Sequence, residues 1–256
     1  SYIKTQVECF SNLKEFFNLS TQNSDNEYIV SWVDTMASGN NLGRGVFISG
    51  KHENAEKEVS EGGGLNLAKS PKLSIPFFFP TWALKRISVG MFNFSYFYTN
   101  KLKSKTSLSH YDSFFYPLDS IRNWNRIYGR NGFVQYQCIL PPDADHTTFM
   151  KFISESKMGS FLSVLKSFGP IPSEGMLSFP MEGMTIALDF PVKPGVFPFL
   201  NELDEFVIEA GGRVYSAKDA RMSPEAFHAF YPQVDQFIPF IDPAFSSSFW
   251  RRVMED

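Results

Sequence analysis

Residues 132–140 read GFVQYQCIL. Apolar and polar side chains alternate along them, the two-residue period of a half-buried strand. Working outward, residues 145–158 carry a helical pattern that stops at Gly159, and 161–168 (FLSVLKSF) alternate as a second strand. A Gly/Pro turn at 169–175 leads into a short extended piece, MLSFPM. A strand follows at 184–190 (MTIALDF), then a helix over 196–210 ended by Gly211-Gly212, and 213–218 (RVYSAK) close the series. The order β-α-β-β-α-β is the signature of a ferredoxin-like split unit. The expected class is α+β, an antiparallel sheet with helices on one face.

Upstream, residues 2–9, 27–36 and 44–49 read as strands. A helix over 12–21 has Ser11 as its expected cap, with Leu13, Phe16 and Phe17 near one side. Residues 81–103 read as helical with Thr81 as cap, and 119–128 as a helix that Asp119 caps and Gly129 ends. The charged stretch 51–64 (KHENAEKEVSEGGG) reads as a solvated, mobile loop. Its glycines follow no strand and lack the spacing of a phosphate cradle. Downstream, Ser223 and Pro224 supply a helix cap and first residue, and short helices run to the end. One domain over 1–256 is expected, without a Rossmann half.

Composition narrows the function classes. The chain has 256 residues, 43% hydrophobic and 20% charged, too apolar for a disordered segment. Its net charge of −3 gives no electrostatic case for nucleic acid. Twenty-eight Phe raise the aromatic content to 16%, so some rings are candidates for a surface that meets ligand, partner or lipid. Cys9 and Cys138 permit a disulfide without implying one; a reducing compartment fits better. The N-terminal stretch SYIKTQVECF lacks the layout of a signal peptide, and the uncharged stretches 73–84 and 87–100 fall short of the ~20 residues a span requires. A cytoplasmic location follows as an expectation. Ser1 in place of Met suggests a chain cut from something longer.

Strand alternation sorts the side chains of the 132–218 unit onto two faces. Val134, Tyr136, Cys138 and Leu140, with Ile186, Leu188 and Phe190, form one face, a core under the helices. The opposite face carries Gln135, Gln137, Val164, Lys166, Phe168, Thr185, Ala187 and Asp189. Two readings stand: a solvated outer face, or a polar pocket wall with Lys166 placed for an anionic or electron-rich group. The scarcity of long charged side chains there favours the pocket.

No His lies at metal spacing from another His or Cys, so no metal site is readable. His52 and His146 are expected to face solvent, and His228 to be packed. GxSxG, Walker and GxGxxG patterns are absent. Residues 75–105 bracket Phe77, Phe78, Phe79, Trp82, Phe92, Phe94, Tyr96, Phe97 and Tyr98 between Lys85, Arg86, Lys101, Lys103 and Lys105. Such a segment reads either as a membrane-interface element or as an aromatic core helix with snorkelling lysines.

Five stretches carry a resemblance. FFYPLDSIRNWNRIYGRNGFVQYQ (114–137), FLSVLKSFGP (161–170), LSFPMEGMTIALDFPVKPG (177–195), GGRVYSAKDARMSPEAFHAFYP (211–232) and SWVDTMASGNNLGRGVFISG (31–50) occur in one chain, with a closing FSSSFWRRV (245–253). Together they resemble the C-terminal, substrate-side half of FAD-linked oxidoreductases of the vanillyl-alcohol-oxidase type. The resemblance implies a substrate-binding cap whose partner is its own N-terminal FAD-binding domain. It implies FAD held mainly outside this chain, and a fragment inactive by itself. The implied reaction is oxidation of an alcohol carbon of a sugar or lipid-linked sugar by hydride transfer to flavin. By carry-over, Gln135, Gln137, Val164, Lys166, Phe168 and Trp32 match positions lining the substrate pocket, and Tyr215 and Lys218 match positions beside the flavin, with Lys218 a catalytic cation. Thr185 and Ala187 stand where lipid-sugar oxidases of the family have Asn and Cys, and Phe115 where they have Tyr. Those exchanges remove hydrogen-bonding groups, so the substrate need not be shared. The HWGK-type element of aldonolactone oxidases is absent. The lipid-linked substrates of the family add to the case for peripheral membrane contact through 75–105. The competing reading is a non-catalytic binding domain that keeps the cap fold without a flavin partner.

Overall fold

The strand at Phe133–Leu140 sits second from one edge of an eight-stranded antiparallel sheet that runs through the whole molecule. The computed structural model describes residues 2–53, 73–102, 106–156, 158–160 and 162–254. Ten strands occur among them: β1 (Tyr2–Phe10), β2 (Tyr28–Val33), β3 (Gly45–His52), β4 (Leu73–Ser74), β5 (Thr106–His110), β6 (Ile121–Arg122), β7 (Phe133–Leu140), β8 (Ser163–Phe168), β9 (Gly183–Pro191) and β10 (Arg213–Val214). The large sheet has the order β10-β7-β9-β8-β2-β3-β1-β5, and β4 pairs with β6 apart from it. The α+β class with an antiparallel sheet is therefore observed. In the 132–218 unit, β9 lies between β7 and β8 and runs antiparallel to both.

Helices are α1 (Leu13–Gln22), α2 (Arg86–Leu102), α3 (Tyr111–Phe115), α4 (His146–Glu155), α5 (Val196–Glu209), α6 (Pro224–Phe230), α7 (Val234–Phe237) and α8 (Ser248–Met254). In α5, Val196, Phe199, Leu200, Leu203 and Val207 recur at helical spacing, and all are buried against the sheet. Asp145 caps α4, accepting from Thr148 N at 2.9 Å, and Phe149, Met150 and Ile153 face inward. These two helices meet Tyr136, Cys138, Leu140, Ile186, Leu188 and Phe190 in one continuous core. At the start of β9, Gly183 has φ +146°, and a Cβ there would collide with the Leu140 carbonyl oxygen.

Several expectations need correction. Asn12, not Ser11, caps α1, because its Oδ1 reaches Glu15 N at 3.1 Å. The stretch read as a helix over 119–128 is two 3-10 turns, Pro117–Ser120 and Trp124–Tyr128, joined by β6. Asn123 between them adopts a left-handed φ of 58°, which breaks a helix there. The 81–103 segment is a 3-10 turn over Thr81–Leu84 followed by α2. MLSFPM forms no strand, and only two residues of RVYSAK pair, Arg213 with Ile139 and Val214 with Cys138. Lys51 and His52 belong to β3 instead of a loop, while 54–64 lie outside the described residues. His146 is buried, packed at 5.2 Å against Phe17, and burial pulls its imidazole below the usual range. Cys9 and Cys138 are free thiols.

Candidate functional site

Sheet register brings the predicted residues into rows across one face. Gln137 pairs with Ala187, Ala187 with Val164, and Val164 with Trp32. The next row pairs Thr185 with Lys166. The row on the other side pairs Gln135 with Asp189. Because partners across an antiparallel pair point the same way, Gln135, Gln137, Val164, Lys166, Thr185, Ala187 and Trp32 share this face. Phe168 follows Lys166 by two residues, and its ring meets Phe179 edge-on at 6.4 Å.

Two parts of the face differ in cover. Over β1, β2 and β3 lies α2, which seals a second small core of Trp32, Val46 and Phe97. Trp32 is buried there with its ring 4.8 Å from Tyr96. A buried carboxylate anchors the helix. Asp34 takes Arg44 Nε at 3.0 Å and Asn93 Nδ2 of α2 at 2.8 Å, and the Arg44 guanidinium lies 4.9 Å from the Phe97 ring centre. Over β7, β9 and β8 the face is half-open: Gln135, Gln137, Val164, Lys166, Phe168 and Ala187 are each partly exposed. Thr185 is not. It is buried, and its hydroxyl donates to the Cys138 carbonyl at 2.8 Å.

A cavity of about 230 Å³ opens between β2 and α3, lined by Glu27, Tyr28, Val30, Phe114, Phe115 and Lys166. Phe115 stands edge-on to Tyr28 at 4.8 Å. The structure thus unites Lys166 and Phe115 in one aromatic-walled recess. A second, much smaller depression beside β10 is lined by Gln135, Gln137 and Lys218 together with Tyr136, Leu200 and Arg221 from the helix-covered side. It forms because the chain leaving β10 keeps pairing with β7: Tyr215 N donates to Gln137 O at 2.8 Å. Lys218 then closes the 3-10 turn Ser216–Lys218, its N donating to Tyr215 O at 3.0 Å. The Tyr215 ring stacks on Phe179 at 4.8 Å.

Alternation puts Asp189 on this face, though no motif marks it as a site residue. It is 1% exposed, yet accepts from Gln135 Nε2 at 2.6 Å and from Tyr128 Oη at 3.4 Å. Burial pushes its carboxyl up to about 6, while those two hydrogen bonds and the charge of Lys218 act in the opposite direction. An aspartate between apolar strand positions was the available signal. Tyr128 gave none, since only the tertiary fold carries it to Asp189, where burial raises its phenol far above its usual range.

A carboxyl raised above its unfolded value stabilises the fold while protonated, and that contribution is lost as pH rises through about 6. Asp189→Asn is therefore expected to raise stability at neutral pH by about 1–3 kcal/mol and to flatten stability between roughly pH 4 and 6. Denaturant titrations of both proteins across that range check it; parallel pH profiles would refute it.

Among the described residues, no cluster of three His, Cys, Asp or Glu side chains suits a metal ion. No helix among them is long and apolar enough to cross a membrane.

Sequence similarity sets the class. Over nearly its whole length the chain is homologous to an FAD-linked oxidase. That relative is the decaprenylphosphoryl-β-D-ribose oxidase of Mycolicibacterium smegmatis, 33% identical over 274 aligned positions that cover 99% of this chain. The chain spans 57% of the length of that oxidase. An uncharacterized protein from the mprA 5′ region of Streptomyces coelicolor is 35% identical over 130 positions, covering 48% of this chain and 35% of that protein. No family model matches. The resemblance to FAD-linked oxidoreductases drawn from the motifs is borne out.

Proposed function

We propose that this chain is the substrate-binding cap of an FAD-dependent oxidoreductase, closing over a flavin held mainly by an N-terminal FAD-binding domain outside these residues. The substrate is a sugar-like or lipid-linked alcohol. The observation that carries this reading is the half-open polar face, with Lys166 in its aromatic recess and Lys218 near enough to Asp189 for its charge to act on that carboxyl. The relative's name, which specifies a decaprenylphosphoryl ribose, supports the substrate class. The chain's residues fit a flavin edge: Lys218 is an exposed ammonium available to negative charge from outside the chain, and Tyr215 is fixed beside it by Phe179.

When bound, the flavin supplies the two-electron acceptor for the hydride leaving the alcohol carbon. The chain's part is binding and orientation. Gln135 and Gln137 hydrogen-bond hydroxyl groups, and Lys166 reaches an anionic or electron-rich substituent. Val164, Ala187 and Phe168 supply apolar contact, with Phe115 walling the recess. Thr185 and Trp32 act from beneath, fixing the floor. Lys218 stabilises negative charge as it develops.

The test takes the natural chain extended upstream of Ser1. It is expected to purify yellow and to be bleached anaerobically by a polyol or sugar alcohol. Lys166→Ala is expected to raise KM about 10- to 100-fold with flavin content unchanged. A longer chain that binds no flavin would leave the non-catalytic binding domain as the better reading.

We propose further that α2 brings this cap to a lipid surface. Ile87, Met91, Phe94, Tyr98 and Leu102 are exposed along one side of it, and Phe77 and Phe78 are exposed before it. Arg86 and Lys101 flank that side near its ends; Lys103 and Lys105 lie outside the described residues. A contiguous apolar stripe between cations suits an anionic interface. Sedimentation with vesicles containing anionic lipid is expected to carry the protein down, and Ile87→Asp with Phe94→Asp to release it. An unbound parent protein would end the idea.

A further inference from the structure

Two glutamines stand on the half-open face, and hydrogen-bond chemistry fixes how each is turned. Gln135 Nε2 lies 2.6 Å from Asp189 Oδ1. An ionised carboxylate has no proton to give, so only the amide nitrogen can face it. At Gln137 the same direction follows from different chemistry. Thr185 Oγ1 gives its proton to the Cys138 carbonyl at 2.8 Å, so it meets Gln137 as an acceptor and takes Nε2 at 3.5 Å. Both amides therefore turn nitrogen toward the sheet and leave Oε1 as an acceptor.

We propose that Asp189 is a positioning residue that holds the Gln135 amide with its oxygen outward, and that the two amide oxygens select ligands presenting hydroxyl donors at this place over ligands presenting carbonyl or carboxylate oxygens. The inference rests on the substrate-binding reading of this face and sharpens it to a donor-bearing, polyol-like edge. The groups facing Asp189 are Gln135 from β7, the Tyr128 hydroxyl from the preceding 3-10 turn, the Ser160 hydroxyl at its backbone N, and the Lys218 charge. Of these, Tyr128 and Gln135 donate to the carboxylate, and Lys218 favours its ionised form. Protonated, Asp189 becomes a donor, and the Gln135 amide is then free to turn its oxygen inward. With the carboxyl at about 6, that loss of orientation falls within an accessible pH range.

The test uses the full-length flavoprotein. Its KM for a polyol is expected to rise about tenfold between pH 7 and pH 5 with kcat little changed. Asp189→Asn, which keeps an acceptor for Gln135 but cannot titrate, is expected to show the same KM at both pH values. Gln135→Leu, which removes the acceptor itself, should raise KM as much as the fall to pH 5 does in the parent, and the double variant no further. In the same protein labelled with 15N-glutamine, the Gln135 side-chain signals should titrate near pH 6 in the parent and not in Asp189→Asn. Signals that do not titrate would overturn the positioning role. Signals that titrate while KM stays flat, or a Gln135→Leu variant with unchanged KM, would overturn the selection role. If the longer chain holds no flavin, the cap reading fails separately, while the NMR titration still decides the positioning role.

Discussion

Lys218→Met in the flavin-loaded protein is expected to slow flavin reduction about 10²- to 10³-fold while leaving fold stability within ~0.5 kcal/mol. The two halves of that expectation have separate origins. Lys218 is exposed at the end of a 3-10 turn whose backbone is held by Tyr215, so the fold loses no buried contact with it. If Lys218 stands beside the flavin as proposed, what is lost is a cation placed where charge accumulates during reduction, so kcat falls more than KM rises. Lys218→Arg should recover part of the rate, because the charge returns on a bulkier head. A second consequence separates this from simple loss of activity. Lys218 is one of the groups that hold the Asp189 carboxyl down, so without it that carboxyl moves higher still. The pH at which KM changes should therefore shift upward in Lys218→Met. Stopped-flow reduction with a polyol, repeated across pH, measures both. An unchanged rate would mean that Lys218 does not stand beside the flavin.

How much of this could be read from sequence depends on the kind of constraint. The alternation in GFVQYQCIL and MTIALDF decides which side chains share a face, since a strand's period admits two sets only. Gln137, Ala187, Val164 and Trp32 then fall into one row once the register is known. The register depends on which strands are neighbours, and that β9 separates β7 from β8 is a tertiary fact. Cover was likewise hidden. Trp32 and Val164 are cross-strand partners, yet one is buried under α2 and the other is half-open. Nothing local to β2 predicts that Asn93, on a helix 59 residues away, will hydrogen-bond Asp34. Short 3-10 turns such as Trp124–Tyr128 escaped because their aromatic and polar residues also suit one helical turn, and the left-handed Asn123 that divides them shows only in the backbone. Asp189 illustrates the converse. Alternation placed it correctly, but its importance comes from burial and from Tyr128, both set by distant chain.

Arg221→Met is expected to cost about 3–5 kcal/mol of stability. Arg221 Nη1 pairs with Asp204 Oδ2 at 2.5 Å, and Nη2 donates to Leu200 O at 2.7 Å. Asp204 sits among apolar residues on the inner side of α5, where it also accepts from the Tyr136 hydroxyl at 2.9 Å. Removing the guanidinium leaves a buried carboxylate with one neutral partner, and the cost is that of the uncompensated charge. The cost should therefore vanish largely when the charge goes too. Asp204→Leu combined with Arg221→Met is expected to recover most of the loss, whereas Tyr136→Phe alone should cost only about 1 kcal/mol. The network also ties β7 to the chain that carries Lys218. Asp219, next to Lys218, accepts from the backbone N of Arg221 and Met222 and pairs with Arg252 of α8. Loosening Arg221 should thus disturb the Lys218 turn before the fold is lost. In Arg221→Met, hydrogen exchange at 215–222 should speed up under conditions where β9 amides stay protected. Equal acceleration throughout would mean that the network serves global stability alone, and a double variant as unstable as Arg221→Met would show that charge burial is not the source of the loss.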